Sequence, residues 1–257
     1  MSWVARLFEK APSTEERLAE ALVAWNAGDY GVALDLWAPL AQAGVARAQS
    51  NMGAAFLEGR GVARDLEKAI AWLRRAADEG DAGGQRNLAL CYYEGWGVPQ
   101  DQAEAARWYE KAAGQDDPDA QDMLSWMKLI GGGCPQDYAD ARLWAEKAAA
   151  HGRAGAMARL GDIHHNALGV DRDPVQAAHW WARAAQLGQA EAQAMLGAAY
   201  LAGKGVARDP VEALHWLMRA EAGGAGELAV GFLHEAQAHT KPSQRAEAAR
   251  RAAEPLS

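Results

Sequence analysis

The chain has 257 residues, half of them apolar, and a formal net charge of −8. That is ample material for a buried core, while the acidic balance argues against nucleic acid or an anionic membrane as partner. The start, Met1 to Pro12, has no apolar core behind a basic head, and no run approaches the ~18 apolar residues that span a bilayer. No membrane insertion and a cytoplasmic location are therefore expected, a periplasmic one only if a leader has been removed.

In chain order, Ser13 or Thr14 opens an amphipathic helix that runs to Ala27. Gly28-Asp29-Tyr30 turns the chain, and Gly31 to Ala43 forms a second helix around Ala33, Leu34 and Trp37. This pair, residues 13–44, reads as a diverged repeat that caps one end. From residue 46 a period of 36 takes over. Asp65, Asp101, Asp137, Asp173 and Asp209 keep it, as do Trp72, Trp108, Trp144, Trp180 and Trp216, Gly61, Gly97, Gly133, Gly169 and Gly205, and Ala76, Ala112, Ala148, Ala184 and Ala220. A fixed period of this size marks a solenoid of stacked supersecondary units. The units fall at about 46–81, 82–117, 118–153, 154–189 and 190–224. Residues 225–257 carry helices over Glu227 to His239 and Ser243 to Ala253, read as the closing pair and tail.

Each unit reads as helix A, a glycine turn and helix B. In the second, Leu88 and Tyr92 are four apart and share one face of helix A. The position after the leucine or methionine is always small (Gly53, Ala89, Ser125, Gly161, Gly197), which lets a second helix come close. Gly-x-Gly then ends helix A in the left-handed conformation; the fourth unit has Ala167 for the first glycine. The recurrent aspartate stands where an N-cap belongs, and Asp173-Pro174 and Asp209-Pro210 place proline at the first helical position. Glu104, Gln176 and Glu212, three residues on, stand close to a capping-box position. The helix B tryptophan, on one stripe with alanines such as Ala105 and Ala112, is expected to be the large knob between helices rather than a ligand cage.

The motif Leu196-Gly197, Tyr200, Gly203, Gly205-Val206, Asp209, Ala213, Trp216 and Ala220 resembles the Sel1-like repeat, a relative of the tetratricopeptide repeat, over residues 46 to 224. The resemblance implies an all-α fold, an α/α superhelix of helix-turn-helix repeats, working as an adaptor or scaffold. Members occur in signalling, secretion and toxin-immunity contexts. Secreted relatives carry a disulfide in most repeats; Cys91 and Cys134 do not sit at equivalent positions, so reduced thiols are expected.

Five copies of one unit supply an internal comparison. At 100° per residue the core face of helix A is 48, 52, 53 and 56 in first-unit numbers, and 50, 51, 54, 57 and 58 face away. In related solenoids helix A lines the concave surface. That face is irregular across the units. It gives an apolar cluster, Leu90, Tyr93, Trp126, Leu129 and Ile130, bordered by Arg86, Asp122, Arg159 and Asp162, with His165 at the fourth-unit position. Apolar anchors ringed by charge suit a protein or peptide groove; the alternative for Leu90, Leu129 and Ile130 is packing between units. Lys128 stands where other units have a ring (Phe56, Tyr92, His164, Tyr200), its stem expected along the core.

His164-His165, His179 and His215 come with no closed zinc set, so histidines on helix surfaces are expected, His164 tucked into packing. No phosphate loop, dinucleotide fingerprint or nucleophile elbow appears. Neither catalytic residues nor metal nor cofactor is expected, and the chain is read as a non-enzymatic scaffold that binds a protein or peptide. The alternatives are an immunity or adaptor protein that masks a toxin or secreted effector, and a regulatory component of an enzyme or cell-wall hydrolase system.

Overall fold

A computed structural model describes residues 12–256. Residues 1–11, which include most of the start segment considered above for a leader, and residue 257 lie outside it. Among the described residues every regular element is a helix: α1 Thr14–Ala27, α2 Tyr30–Gln42, α3 Ala46–Glu58, α4 Leu66–Asp78, α5 Ala82–Glu94, α6 Gln102–Gly114, α7 Pro118–Ile130, α8 Tyr138–Ala150, α9 Ala154–Asn166, α10 Pro174–Gln186, α11 Ala190–Ala202, α12 Pro210–Ala220, a π-helical turn Glu221–Ala225, α13 Gly226–Ala238 and α14 Pro242–Ala253. They fall into two compact units that divide between Asp117 and Pro118. None is long and apolar enough to cross a membrane.

Local chemistry sets each hairpin. The five recurrent aspartates are N-caps: Asp65, Asp101 and Asp137 accept from the amides of Lys68, Glu104 and Asp140, and Asp173 and Asp209 accept from two amides each. Their own amides donate back to the carbonyls of Phe56, Tyr92, Lys128, His164 and Tyr200, which locks helix A to the start of helix B. Glu104 does not complete a capping box; it turns to Arg107 instead. Gly205, at φ +77°, also sits on the first turn of α10, where an added Cβ would fall on the Pro174 carbonyl. Conformation and close approach therefore both demand glycine there.

In the first unit α3 packs on α4 and α5 on α6, with α4 against α5. In the second, α7 packs on α8, α9 on α10 and α11 on α12, joined by α8 against α9 and α10 against α11. One recurrent bond links successive hairpins. Gln49, Gln85 and Gln193, all buried, donate to the carbonyls of Ala41, Ala77 and Ala185 on the preceding helix.

The tryptophans correct the expectation of a buried knob. Trp72, Trp108, Trp144, Trp180 and Trp216 are half-buried. In the first four copies the cation three residues on lies over the ring: Arg75 at 5.0 Å, Lys111 at 3.7 Å, Lys147 at 4.0 Å and Arg183 at 4.7 Å from the centroid. This is a cation–π cover on the next exposed turn. The deeply buried position is one residue further: Leu73, Tyr109, Ala145, Trp181 and Leu217 are at most 3% exposed. That neighbour points at its own helix A, so the small residue of helix A serves it. An added Cβ on Gly53 or Gly197 would come 2.6 Å from Leu73 Cγ or Leu217 Cγ, and on Gly161 it would enter the Trp181 ring.

Helix A is likewise buried more broadly than one face. Ser50 and Leu57, expected to face away, are 3% and 7% exposed, because a neighbouring helix covers that side too. Lys128 lays its stem inward and places its ammonium 3.0 Å from Asp140. His215 is buried, against the expectation of a surface histidine, because α14 packs chiefly on α12 and covers it.

Candidate functional site

In the first unit, Arg86 reaches Asp117 at 2.9 Å, so its charge is met within the unit. Leu90 is half-buried and lines a shallow cleft with Leu57, Asn87, Arg64 and Trp96. Tyr93 is half-buried, and its carbonyl accepts from Gln100.

The second unit brings more of the candidate residues together. Trp126 and Leu129 on α7, Arg159 and Asp162 on α9 and Met195 on α11 line one cleft of about 400 Å³, with Trp181 and Leu228 of α13 also in its walls. Asp122 holds Arg159 through a 2.6 Å hydrogen bond. The two stand 37 residues apart, which is one period plus one, so this neighbouring was implicit in the repeat. Asp162 accepts from the Trp181 indole N–H at 3.1 Å. Burial pushes the Asp162 carboxyl above its ordinary value, with the Trp181 hydrogen bond, His165 and Arg159 opposing. The charges of this cleft are thus largely matched internally, and its apolar surface is what remains for a partner.

Two expected residues lie elsewhere. Ile130 is 49% exposed at the end of α7 and does not line the cleft. His165 meets the Trp181 ring at a tilt of 49°, 5.2 Å between ring centroids, and lines a second, apolar cleft. Trp181, which contributes to both clefts, is not marked by the 36-residue period, which singles out the tryptophan beside it. The signal was available: among the five helix B residues that follow the periodic tryptophan, only this one is an indole, and it is paired with a glycine on helix A.

Among the described residues no group of three or more histidine, cysteine, aspartate or glutamate side chains stands close enough to hold a metal. Cys91 and Cys134 are unbridged, and burial pushes the Cys91 thiol up to about 11.

Helical hairpins with a constant framework and one variable face define the class: an all-α solenoid of repeats. The family model described as Sel1 repeat matches residues 46–81, 82–117, 118–152, 154–189 and 190–224, and the chain belongs to the Sel1 repeat family. The general role of that family is protein binding, and it is typically non-catalytic. The chain is similar to a Sel1 repeat protein from Oxalobacter formigenes, at 31% identity and a TM-score of 0.76 over 91% of this chain and 98% of that one. It is also similar to the immunity protein PA5088 from Pseudomonas aeruginosa, at 18% identity and a TM-score of 0.50 over 93% of this chain and 86% of that one, a likeness of fold alone. No curated protein matches the chain.

Proposed function

We propose that the chain is a protein-interaction module whose second unit holds a protein or peptide segment in the cleft formed by Trp126, Leu129, Arg159 and Asp162. One observation carries the reading. Trp126 stands where the other copies have Ala54, Leu90, Asp162 and Ala198, and this unrepeated indole lines a cleft rather than the core. The framework gives no reason for an aromatic there. A rigid, half-buried indole beside a matched charge pair is the composition of an interface hot spot.

The test is affinity for the partner recovered from the native host, compared between the full chain and its Trp126→Ala/Leu129→Ala variant. A loss of about 2 kcal/mol, roughly thirtyfold, is expected from a central aromatic anchor. Circular dichroism establishes that the variant is folded. Equal affinity for both proteins refutes the proposal.

A further inference from the structure

Four of the five copies use the side chain just ahead of the capping aspartate in the same way. Arg64, Gln100, Gln136 and Arg208 reach back seven residues and donate to the carbonyls of Leu57, Tyr93, Leu129 and Leu201. The bond satisfies a carbonyl that the end of helix A leaves open. Arg172 holds this place in the fourth copy and does not make the bond. Its side chain is exposed, and among the described residues it has neither a hydrogen-bond nor an ion-pair partner.

The charge of Arg172 acts on His165, and His165 lines the second cleft. The cleft has a volume of about 200 Å³, and its walls include His165, Trp181, Met195, Ala199, Lys204 and Phe232. The floor is apolar: an indole, a thioether, an alanine and a phenyl ring. Lys204 stands on the rim, exposed and, like Arg172, without an ion-pair partner among the described residues. The three basic groups share one field. Burial lowers the proton affinity of His165, Arg172 and Lys204 lower it further, and Asp162 opposes them. Lys204 at this apolar opening, with Arg172 near enough to act on His165, runs against the −8 charge of the whole chain. In the neighbouring cleft, by contrast, Arg159 is already answered by Asp122.

We propose that this second cleft is a socket for an acidic polypeptide segment, one aromatic or large aliphatic side chain filling the floor between Trp181, Met195 and Phe232 while flanking carboxylates meet Arg172 and Lys204. The proposal deepens the function given above and rests on it, in that both take the second unit for the partner-binding surface. A basic segment is repelled at the rim, and an acidic segment without an anchor leaves the floor wet. Charge at the rim governs encounter and selectivity, and the buried anchor governs residence. Because Trp181 and Met195 line both clefts, the socket adds a charge preference to a surface whose other half is nearly neutral.

A random peptide library displayed on phage and selected against the immobilised full chain tests this directly. The expected motif is Phe, Trp or Leu flanked by two or more Asp or Glu. The winning peptide, labelled with fluorescein, is then titrated by anisotropy. Arg172→Glu/Lys204→Glu is expected to weaken it at least about tenfold, Phe232→Ala to weaken it comparably, and added salt to weaken the wild-type complex. Recovery of no motif, of a basic motif, or of an acidic peptide indifferent to the charge reversal overturns the proposal. Peptides lost with Trp126→Ala/Leu129→Ala but kept with Arg172→Glu/Lys204→Glu sink the socket and leave the first cleft standing.

Discussion

Gly161→Ala is the most searching single change. It adds one methyl group to helix α9 and is favourable on helix propensity by about 0.8–1 kcal/mol. Packing opposes it: the new Cβ would lie 2.9 Å from Trp181 Cγ and nearer still to Cδ1 and Nε1. Trp181 is 3% exposed and cannot swing outward without leaving Asp162, to which its indole N–H donates at 3.1 Å. Overpacking of this kind costs about 1–3 kcal/mol, and a lost hydrogen bond about 1 kcal/mol. The propensity gain offsets roughly the second of these, so the net expectation is a destabilisation of about 2 kcal/mol. The control lies within the chain. In the third copy Ser125 stands at the glycine's position, and the residue equivalent to Trp181 is Ala145, so a small partner tolerates a side chain there. In a Trp181→Ala background, Gly161→Ala is therefore expected to cost nothing or to stabilise. Urea unfolding followed by circular dichroism on the four proteins of the cycle gives the coupling, expected to exceed about 1 kcal/mol. A neutral single mutant, or strict additivity, would refute the argument that this glycine exists to admit an indole.

Three other outcomes follow from positions described above. Ala167 caps α9 at φ 57° without being glycine; Ala167→Gly is expected to stabilise by about 0.5–1 kcal/mol in the same urea assay, and destabilisation would contradict the strain. Asp209→Ala removes the acceptor for the amides of Val211 and Glu212 and is expected to cost about 1 kcal/mol, with Asp209→Asn recovering most of it. The proton affinity of His215 is lowered by burial first, then by Arg251 and Arg219, with Glu212 and the Ala248 backbone opposing. A depressed folded-state value means that the docking of α14 over His215 is at full strength above the ordinary value of 6.5 and weakens as pH falls below it. Amide exchange in α14, corrected for intrinsic rates, is expected to show easier opening at pH 5 than at pH 7.5, a difference that His215→Gln abolishes; equal opening at both values in the wild type counts against it.

The parts of the fold legible in the sequence are those set by a residue's own backbone. An aspartate that caps, a glycine at positive φ and a proline at the first helical position act within a few residues, and a 36-residue period repeats the message five times. What stayed hidden depends on which neighbour arrives from a distance. Trp180 and Trp181 differ by 100° on one helix, and the period singles out the first while the packing buries the second. Trp126, Leu129, Arg159 and Asp162 do share a cleft, as their common face on helix A implied. His165 shares that face but lies at its end, where Trp181 divides one cleft from the next, and Ile130 runs past the end of α7. The glutamine clamps are not legible in the sequence because glutamine is mostly found at the surface; the carbonyls of Ala41, Ala77 and Ala185 explain their burial.

The fifth helix B shows how far one late element can reset a repeated position. Ala71, Arg107, Leu143 and His179 occupy the position before the periodic tryptophan in the first four copies, and all are exposed. His215, their equivalent, is 6% exposed. Arg219, whose counterparts cover their tryptophans, instead donates to the carbonyls of Arg251 and Glu254. Glu212 completes the change by pairing with Arg251. Each departure has the same cause: α14 lies on the outer side of α12. The outer face of helix B in this chain can therefore hold a helix, given a carboxylate, an imidazole and an arginine at these three positions. The earlier copies lack that combination, with Lys68, Ala71 and Arg75 in the first and Gln176, His179 and Arg183 in the fourth, and there the cation stays on the indole.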